Sequence, residues 1–96
     1  MNKIILLIIL IFLPLIAVAQ TSKEYTEKGF EQYMQGNIEK AVENYNKAIQ
    51  ADKNNIEAYY LMAAANLTMG QPEQAIQNYS KAIDIDSKYS QAYAER

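Results

Sequence analysis

The feature that most constrains the fold of this chain is an internal repeat with a period of 34 residues. Residues 36–52 return as residues 70–86, and nine of the seventeen positions carry the same residue. A fixed internal period of this size indicates a repeat architecture, in which each unit buries its apolar face against its neighbours. The chain is therefore expected to be an array of similar units.

Small residues and a tyrosine recur on one side of a predicted helix in each copy. Ala41, Tyr45 and Ala48 lie at i, i+4 and i+7, which places them on one helix face. The second copy repeats them as Ala75, Tyr79 and Ala82. Alanine lets a second helix approach closely, and the tyrosine ring fills the space beside it. Because Gly36 and Gly70 precede this pattern and tolerate a positive φ, each copy is predicted to be an antiparallel helix pair with glycine in the turn.

This unit resembles the tetratricopeptide repeat (TPR), which has the same 34-residue period. The resemblance covers residues 22–96 and implies repeats at 22–55 and 56–89, with residues 90–96 starting a third. It implies an all-α fold, a TPR-like α-solenoid of two antiparallel helix pairs plus a truncated fifth helix. The residues that match the family's structural signature are Tyr25, Gly29, Gly36, Ala41, Tyr45 and Ala48 in the first copy and Tyr59, Ala63, Gly70, Ala75, Tyr79 and Ala82 in the second.

The predicted helix boundaries rest on capping residues. Thr21 with Glu24 forms a capping-box pair that predicts the start of the first helix, and Asn37 and Asn55 are suitable N-caps for the second and third. The proline that usually closes a repeat in this family is replaced in both copies, by Lys53 and Ser87.

The chain also ends partway through a predicted helix. Two repeats are fewer than an independent array usually contains. We therefore expect the chain to be the N-terminal part of a longer repeat protein, with a self-contained short protein as the alternative.

The first nineteen residues differ in composition from the rest. A short start with Lys3 precedes a long apolar run that is interrupted by Pro14 and ends in Ala-Val-Ala at Ala19. This pattern predicts a secretory signal peptide at 1–19, cleaved between Ala19 and Gln20, and hence export to the periplasm or the medium. The alternative is an uncleaved membrane anchor, although the apolar run spans only about 24 Å as a helix against a hydrocarbon core of about 30 Å.

Composition excludes several kinds of site. The chain has no Cys and no His, so thiol nucleophiles, Cys-based metal sites and the commonest general base are all missing. Its net charge of −2 argues against a nucleic-acid surface. Asp84 and Asp86 are interpreted as a solvated helix end and not as metal ligands. We therefore expect no catalytic residue, no cofactor and no metal, and no enzyme.

The resemblance implies that the first helix of each pair lines a concave surface. The residues on that side form the predicted partner-binding groove: Lys23, Thr26, Phe30, Tyr33, Met34, Glu57, Tyr60, Ala64 and Leu67. Phe30, Tyr33 and Tyr60 are candidate aromatic anchors for a bound peptide, with packing between repeats as the alternative.

One TPR subtype holds a C-terminal carboxylate with Lys, Asn and Arg. Here the corresponding positions are Thr26, Phe30, Leu61, Gln91 and Glu95, so no such clamp is expected.

These observations predict an exported, non-catalytic protein-interaction module that binds a peptide or a helix in the groove. No nucleic-acid partner is expected, and contact with the membrane is expected only through the signal peptide. Two alternatives remain open. The chain is a structural or oligomerisation module that pairs through its last helix and Tyr93, or it is the recognition part of an enzyme whose catalytic domain lies beyond residue 96.

Overall fold

The computed structural model describes the backbone of residues 2–94 and the side chains of residues 3–6 and 20–88. This part of the chain is all-helical. It contains α1 (Asn2–Met34), α2 (Ile38–Ala51), α3 (Ile56–Thr68) and α4 (Pro72–Ala94). The helices pack as two antiparallel pairs, α1 with α2 and α3 with α4, and α2 also packs against α3. The predicted all-α, TPR-like architecture is confirmed.

Alanines form most of the core. Ala41 and Ala48 on α2 and Ala63 on α3 have no exposed surface, and neither has Tyr45. The other fully or almost fully buried alanines are Ala58, Ala65, Ala75 and Ala82. Because these side chains are so small, the helix axes approach closely, and one large ring, that of Tyr45, fills the space between α1, α2 and α3.

Glycine occupies the turn inside each helix pair. Gly36 has a φ of +85° and Gly70 a φ of +74°, values that L side chains rarely adopt. A Cβ would meet no atom within 4 Å at either position, so the requirement for glycine is conformational and not steric. The backbone amide of the residue after each glycine donates to a carbonyl at the end of the preceding helix. The Asn37 amide, for example, donates to the carbonyl of Gln32 at 2.8 Å.

The start of the first helix differs from the prediction. α1 begins at Asn2 and continues through Pro14 and Thr21 to Met34, so the capping pair at Thr21 and Glu24 does not start a helix. The apolar run before residue 20 is itself helical, and extending an existing helix is easier than nucleating a new one. Among the helices of the described residues, none is both long and apolar enough to cross a membrane.

The end of α4 also differs from the prediction. The described part of residues 90–96 is helical, but it continues α4 and does not begin a separate fifth helix. No proline or glycine interrupts the helix near Ser87. In addition, Tyr89 stands 34 residues after the cap residue Asn55, so the second copy lacks the side chain that starts a new helix in the first.

A buried polar network joins the first three helices. Asn55 caps α3 by accepting from the Ala58 amide at 2.9 Å. Its amide group donates to Ser22 Oγ at 2.8 Å and to Thr26 Oγ1 at 2.9 Å, both on α1. Ser22 Oγ in turn donates to the carbonyl of Ala48 on α2 at 2.7 Å. One asparagine therefore holds α1, α2 and α3 in a fixed arrangement.

The prediction that the Asn37 side chain caps α2 is wrong. Asn37 occupies the N-cap position of α2, but its side chain makes no capping hydrogen bond. It donates instead to Gln32 Oε1 at 3.0 Å, across the turn.

Candidate partner-binding groove

The candidate groove lies between α1 and α3, which run side by side in the same direction. Asn55, at the N-terminal end of α3, bonds to Thr26 in the last third of α1, and near the C-terminal ends of both helices the hydroxyls of Tyr33 and Thr68 are 2.9 Å apart. With these two contacts, α3 and the last third of α1 present adjacent faces that form one continuous surface.

Most of the residues predicted for the groove are accessible. Phe30, Met34, Tyr60 and Leu67 are exposed by 47%, 68%, 40% and 52% of their surface. Lys23 and Glu57 are also exposed, whereas Tyr33 and Ala64 are partly buried. This concentration of exposed apolar side chains on two adjacent helices is typical of a surface that another molecule covers.

Thr26 is the exception among these residues. Only 3% of its surface is exposed. Its hydroxyl donates to the carbonyl of Ser22 at 2.9 Å and accepts from Asn55 at 2.9 Å. Its spacing of three and four residues from Lys23 and Phe30 predicted a place in the groove, but its hydroxyl is used in holding α1 to α3. Thr26 therefore lies in the floor of the groove.

The three predicted aromatic anchors differ in how much of each ring is available to a partner. Tyr33 packs against the core cluster and hydrogen-bonds to Thr68, so part of its role is structural. The ring of Tyr60 lies 5.9 Å from that of Tyr79 on α4, tilted by 54°, which leaves one side of the ring available. Phe30 is almost half exposed, and among the three it is the side chain best placed for contact with a partner.

An open hollow of about 280 Å³ surrounds Phe30. It is lined by Thr26, Glu27, Phe30 and Glu31 of α1 and by Glu57 of α3. Glu27 and Glu31 were not among the residues predicted for the groove. Glu27 lies three residues before Phe30 and four before Glu31, and these spacings are the sequence signal that places both on the side of Glu27.

The hydroxyl of Tyr45 is buried below this surface and has no hydrogen-bond partner among the described residues. Burial, and then the proximity of Tyr33 and Glu57, raises the pKa of Tyr45 from 10.0 to about 12. Gly29 makes this position possible, because a Cβ there would lie 2.5 Å from Cε1 of Tyr45.

The chemistry of the groove is that of a binding surface. It offers exposed apolar side chains, one open aromatic ring and three carboxylates. In the part of the chain that the structure describes, no group of three or more His, Cys, Asp or Glu side chains could hold a metal ion.

Comparison with protein-family models gives two matches. The model described as "TPR repeat" matches residues 31–70, and the model described as "Tetratricopeptide repeat" matches residues 56–89. Among curated protein sequences, no significant match is found.

Solved structures give the same fold. The second TPR of Spaghetti (RPAP3), bound to the HSP90 peptide SRMEEVD, is 31% identical with a TM-score of 0.70; the alignment covers 81% of this chain and 72% of that one. MamA is 26% identical with a TM-score of 0.71, and the alignment covers 73% of this chain but only 41% of the MamA chain. The chain thus spans about two fifths of MamA and most of the Spaghetti domain.

Proposed function

The chain belongs to the tetratricopeptide repeat family, and from this premise we propose that it is an exported, non-catalytic module that binds a segment of a partner protein in the groove between α1 and α3. The observation that carries the proposal is the exposure of four large apolar side chains on these two adjacent helices: Phe30, Met34, Tyr60 and Leu67. Aromatic side chains held on a rigid surface are the usual anchors of such interfaces.

Export is proposed from the first nineteen residues. Gln20 is exposed, and Ser22 makes the hydrogen bond that joins α1 to α2. Cleavage after Ala19 would therefore keep the polar network intact. N-terminal sequencing of the exported chain is expected to begin at Gln20, and an exported chain that still begins at Met1 would refute cleavage.

The binding proposal is tested with immobilised synthetic peptides of twelve residues that vary around one central apolar residue. Phe30→Ala and Tyr60→Ala are expected to lose the peptides that the unmodified chain binds, while the melting temperature stays unchanged. Ile76→Ala is the matched control, because Ile76 is an exposed apolar residue on α4, outside the groove. Peptide binding that survives both groove substitutions would contradict the proposal, and a large fall in melting temperature for both would assign these rings to the core.

A second candidate function, self-association through α4, rests on a specific contrast. Val42 and Ile49 of α2 pack against the core cluster that includes residues of α3. The residues 34 positions later, Ile76 and Ile83, are 65% and 54% exposed. The same apolar face is therefore covered in the first copy and open in the second.

Head-to-tail stacking would not cover this face. In α3 the residues that meet α2 include Met62 and Ala65, and the matching residues of α1 are Lys28 and Glu31, both exposed. Between two copies of this chain, an α4–α4 contact is the arrangement that remains, and the predicted contribution of Tyr93 lies outside the described side chains. Sedimentation that shows a stable dimer, dissociated by Ile83→Lys, would favour this function; a monomer would exclude it.

A further inference from the structure

We propose that the groove is selective for a basic segment, in which lysine or arginine side chains flank one apolar residue. This inference rests on the proposed function and specifies the chemistry of its partner. It is carried by the hollow around Phe30, where three carboxylates from two helices meet one open aromatic ring.

The charges of the hollow have one sign. Its lining contains Glu27, Glu31 and Glu57 and no basic side chain. All three glutamates are exposed. The nearest cation among the predicted groove residues is Lys23, one turn before Glu27. A partner that brings acidic groups here would meet three like charges, whereas a basic partner would meet three opposite ones.

The shape of the hollow favours side chains that are apolar along their length and charged at the end. Glu27 lies one turn before both Phe30 and Glu31, and all three side chains line the hollow. Lysine and arginine can lay their aliphatic stems over an aromatic ring and keep the cationic group beside the carboxylates.

A second hollow, outside the groove, carries the opposite charge. A hollow of about 250 Å³ between the α2–α3 turn and α4 is lined by three lysines, Lys53, Lys81 and Lys88, with Asp84 as the one acidic residue in its lining. An acidic peptide would therefore be drawn away from the groove. Comparing peptides of opposite charge therefore distinguishes selective binding in the groove from general electrostatic attraction to the protein.

The experiment measures fluorescence anisotropy of the full chain with three labelled twelve-residue peptides. Each has a central leucine, flanked by four lysines, four serines or four glutamates. The lysine peptide is expected to bind at least about tenfold more tightly than the serine peptide, and the glutamate peptide to show no Phe30-dependent binding.

Charge removal tests the assignment to the hollow. Glu31→Gln with Glu57→Gln is expected to weaken the lysine peptide about fivefold to tenfold, without a change in melting temperature. Glu43→Gln, which removes an exposed carboxylate from α2, is the matched control and should change binding by less than twofold.

The outcomes separate the two proposals. If the serine or glutamate peptide binds as tightly as the lysine peptide, and Phe30→Ala abolishes that binding, the groove is a binding site but its basic selectivity is refuted. If the lysine peptide binds equally well after the two glutamates are removed, the selectivity is also refuted. If no peptide binds, or none depends on Phe30, the proposed function fails together with the selectivity.

Discussion

The two copies of the helix pair use the same tyrosine in different ways. Tyr45 in the first copy has no exposed surface, while Tyr79 in the second is only partly buried. The ring of Tyr45 lies against Gly29, and the residue 34 positions after Gly29 is Ala63. Without a Cβ at residue 29 the ring lies directly against α1, whereas Ala63 places a buried methyl group at the equivalent position of α3. One methyl group thus accompanies the difference between the buried ring of Tyr45 and the partly buried ring of Tyr79.

The copies also differ in their polar contacts. Asn55, Ser22 and Thr26 join three helices in the first copy. The residues 34 positions later are Tyr89, Ile56 and Tyr60, which cannot form the same network. The comparison teaches that α1, α2 and α3 form the braced part of the molecule, while α4 packs against α3 alone. The groove lies on the braced part.

The outer side of α1 differs from the corresponding side of α3 as well. The ammonium groups of Lys28 and Lys47 each lie 5.7 Å from the centre of the Tyr25 ring. The matching ring of Tyr59 packs against the core. Charged side chains therefore cover the first end of the array, whereas Ile76 and Ile83 leave the other end apolar.

The largest expected effect is that of Gly29→Ala. A Cβ at this position would overlap the ring of Tyr45, which is enclosed and cannot move aside. We expect unfolding free energy to fall by about 2–3 kcal/mol, despite the better helix propensity of alanine. Urea denaturation measures the change. The reciprocal substitution Ala63→Gly should cost about 1 kcal/mol, and equal costs at the two positions would refute the difference between the copies.

The next effect is that of Asn55→Ala, which removes the cap of α3 and both hydrogen bonds to α1. The expected loss is about 2 kcal/mol, measured by thermal or urea unfolding. Asn54→Ala is the control, because the Asn54 side chain is exposed and only its backbone amide bonds to Asp52. A loss as small as that of the control would show that the network does not brace the three helices.

A smaller difference is expected between two isoleucines at the same position of the repeat. Ile49→Ala should cost about 1–2 kcal/mol because Ile49 packs against the core cluster. Ile83→Ala should cost less than about 0.5 kcal/mol because most of its side chain is exposed. Unfolding is measured at a protein concentration where the chain is monomeric. A large loss at Ile83 would show that its face is covered within one chain.

The smallest effect at neutral pH is that of Tyr45→Phe. Removing a buried hydroxyl without a partner should change stability by less than about 0.5 kcal/mol. The difference emerges in alkali. Folding raises the pKa of Tyr45 from 10.0 to about 12, so its contribution is complete below pH 10 and is lost as the pH rises toward 12. Unfolding measured from pH 9 to 12 should decline more steeply for the unmodified chain than for the variant, and parallel curves would contradict this assignment.

Much of the fold could be predicted from the sequence, because the repeat period, the alanine spacing and the two turn glycines each depend on local geometry. The Asn55 network could not, since its partners lie on two other helices and only the cap is a local feature. α4 continues because no residue near Ser87 stops the helix. This continuation was not predicted, because the comparison with the first copy indicated a new helix there. In the groove, apolar residues were predicted by their spacing, whereas Glu27 and Glu31 gained significance only when α3 brought Glu57 beside them.

Amide hydrogen exchange, resolved by residue, tests the difference between the two copies most directly. Residues 41–48 of α2 and residues 75–82 of α4 are equivalent segments, so their amides form matched pairs. The bracing of the first copy predicts exchange at least about tenfold slower in α2 than in α4, a difference of about 1.4 kcal/mol in opening free energy. Equal protection in the two segments, or slower exchange in α4, would contradict the account.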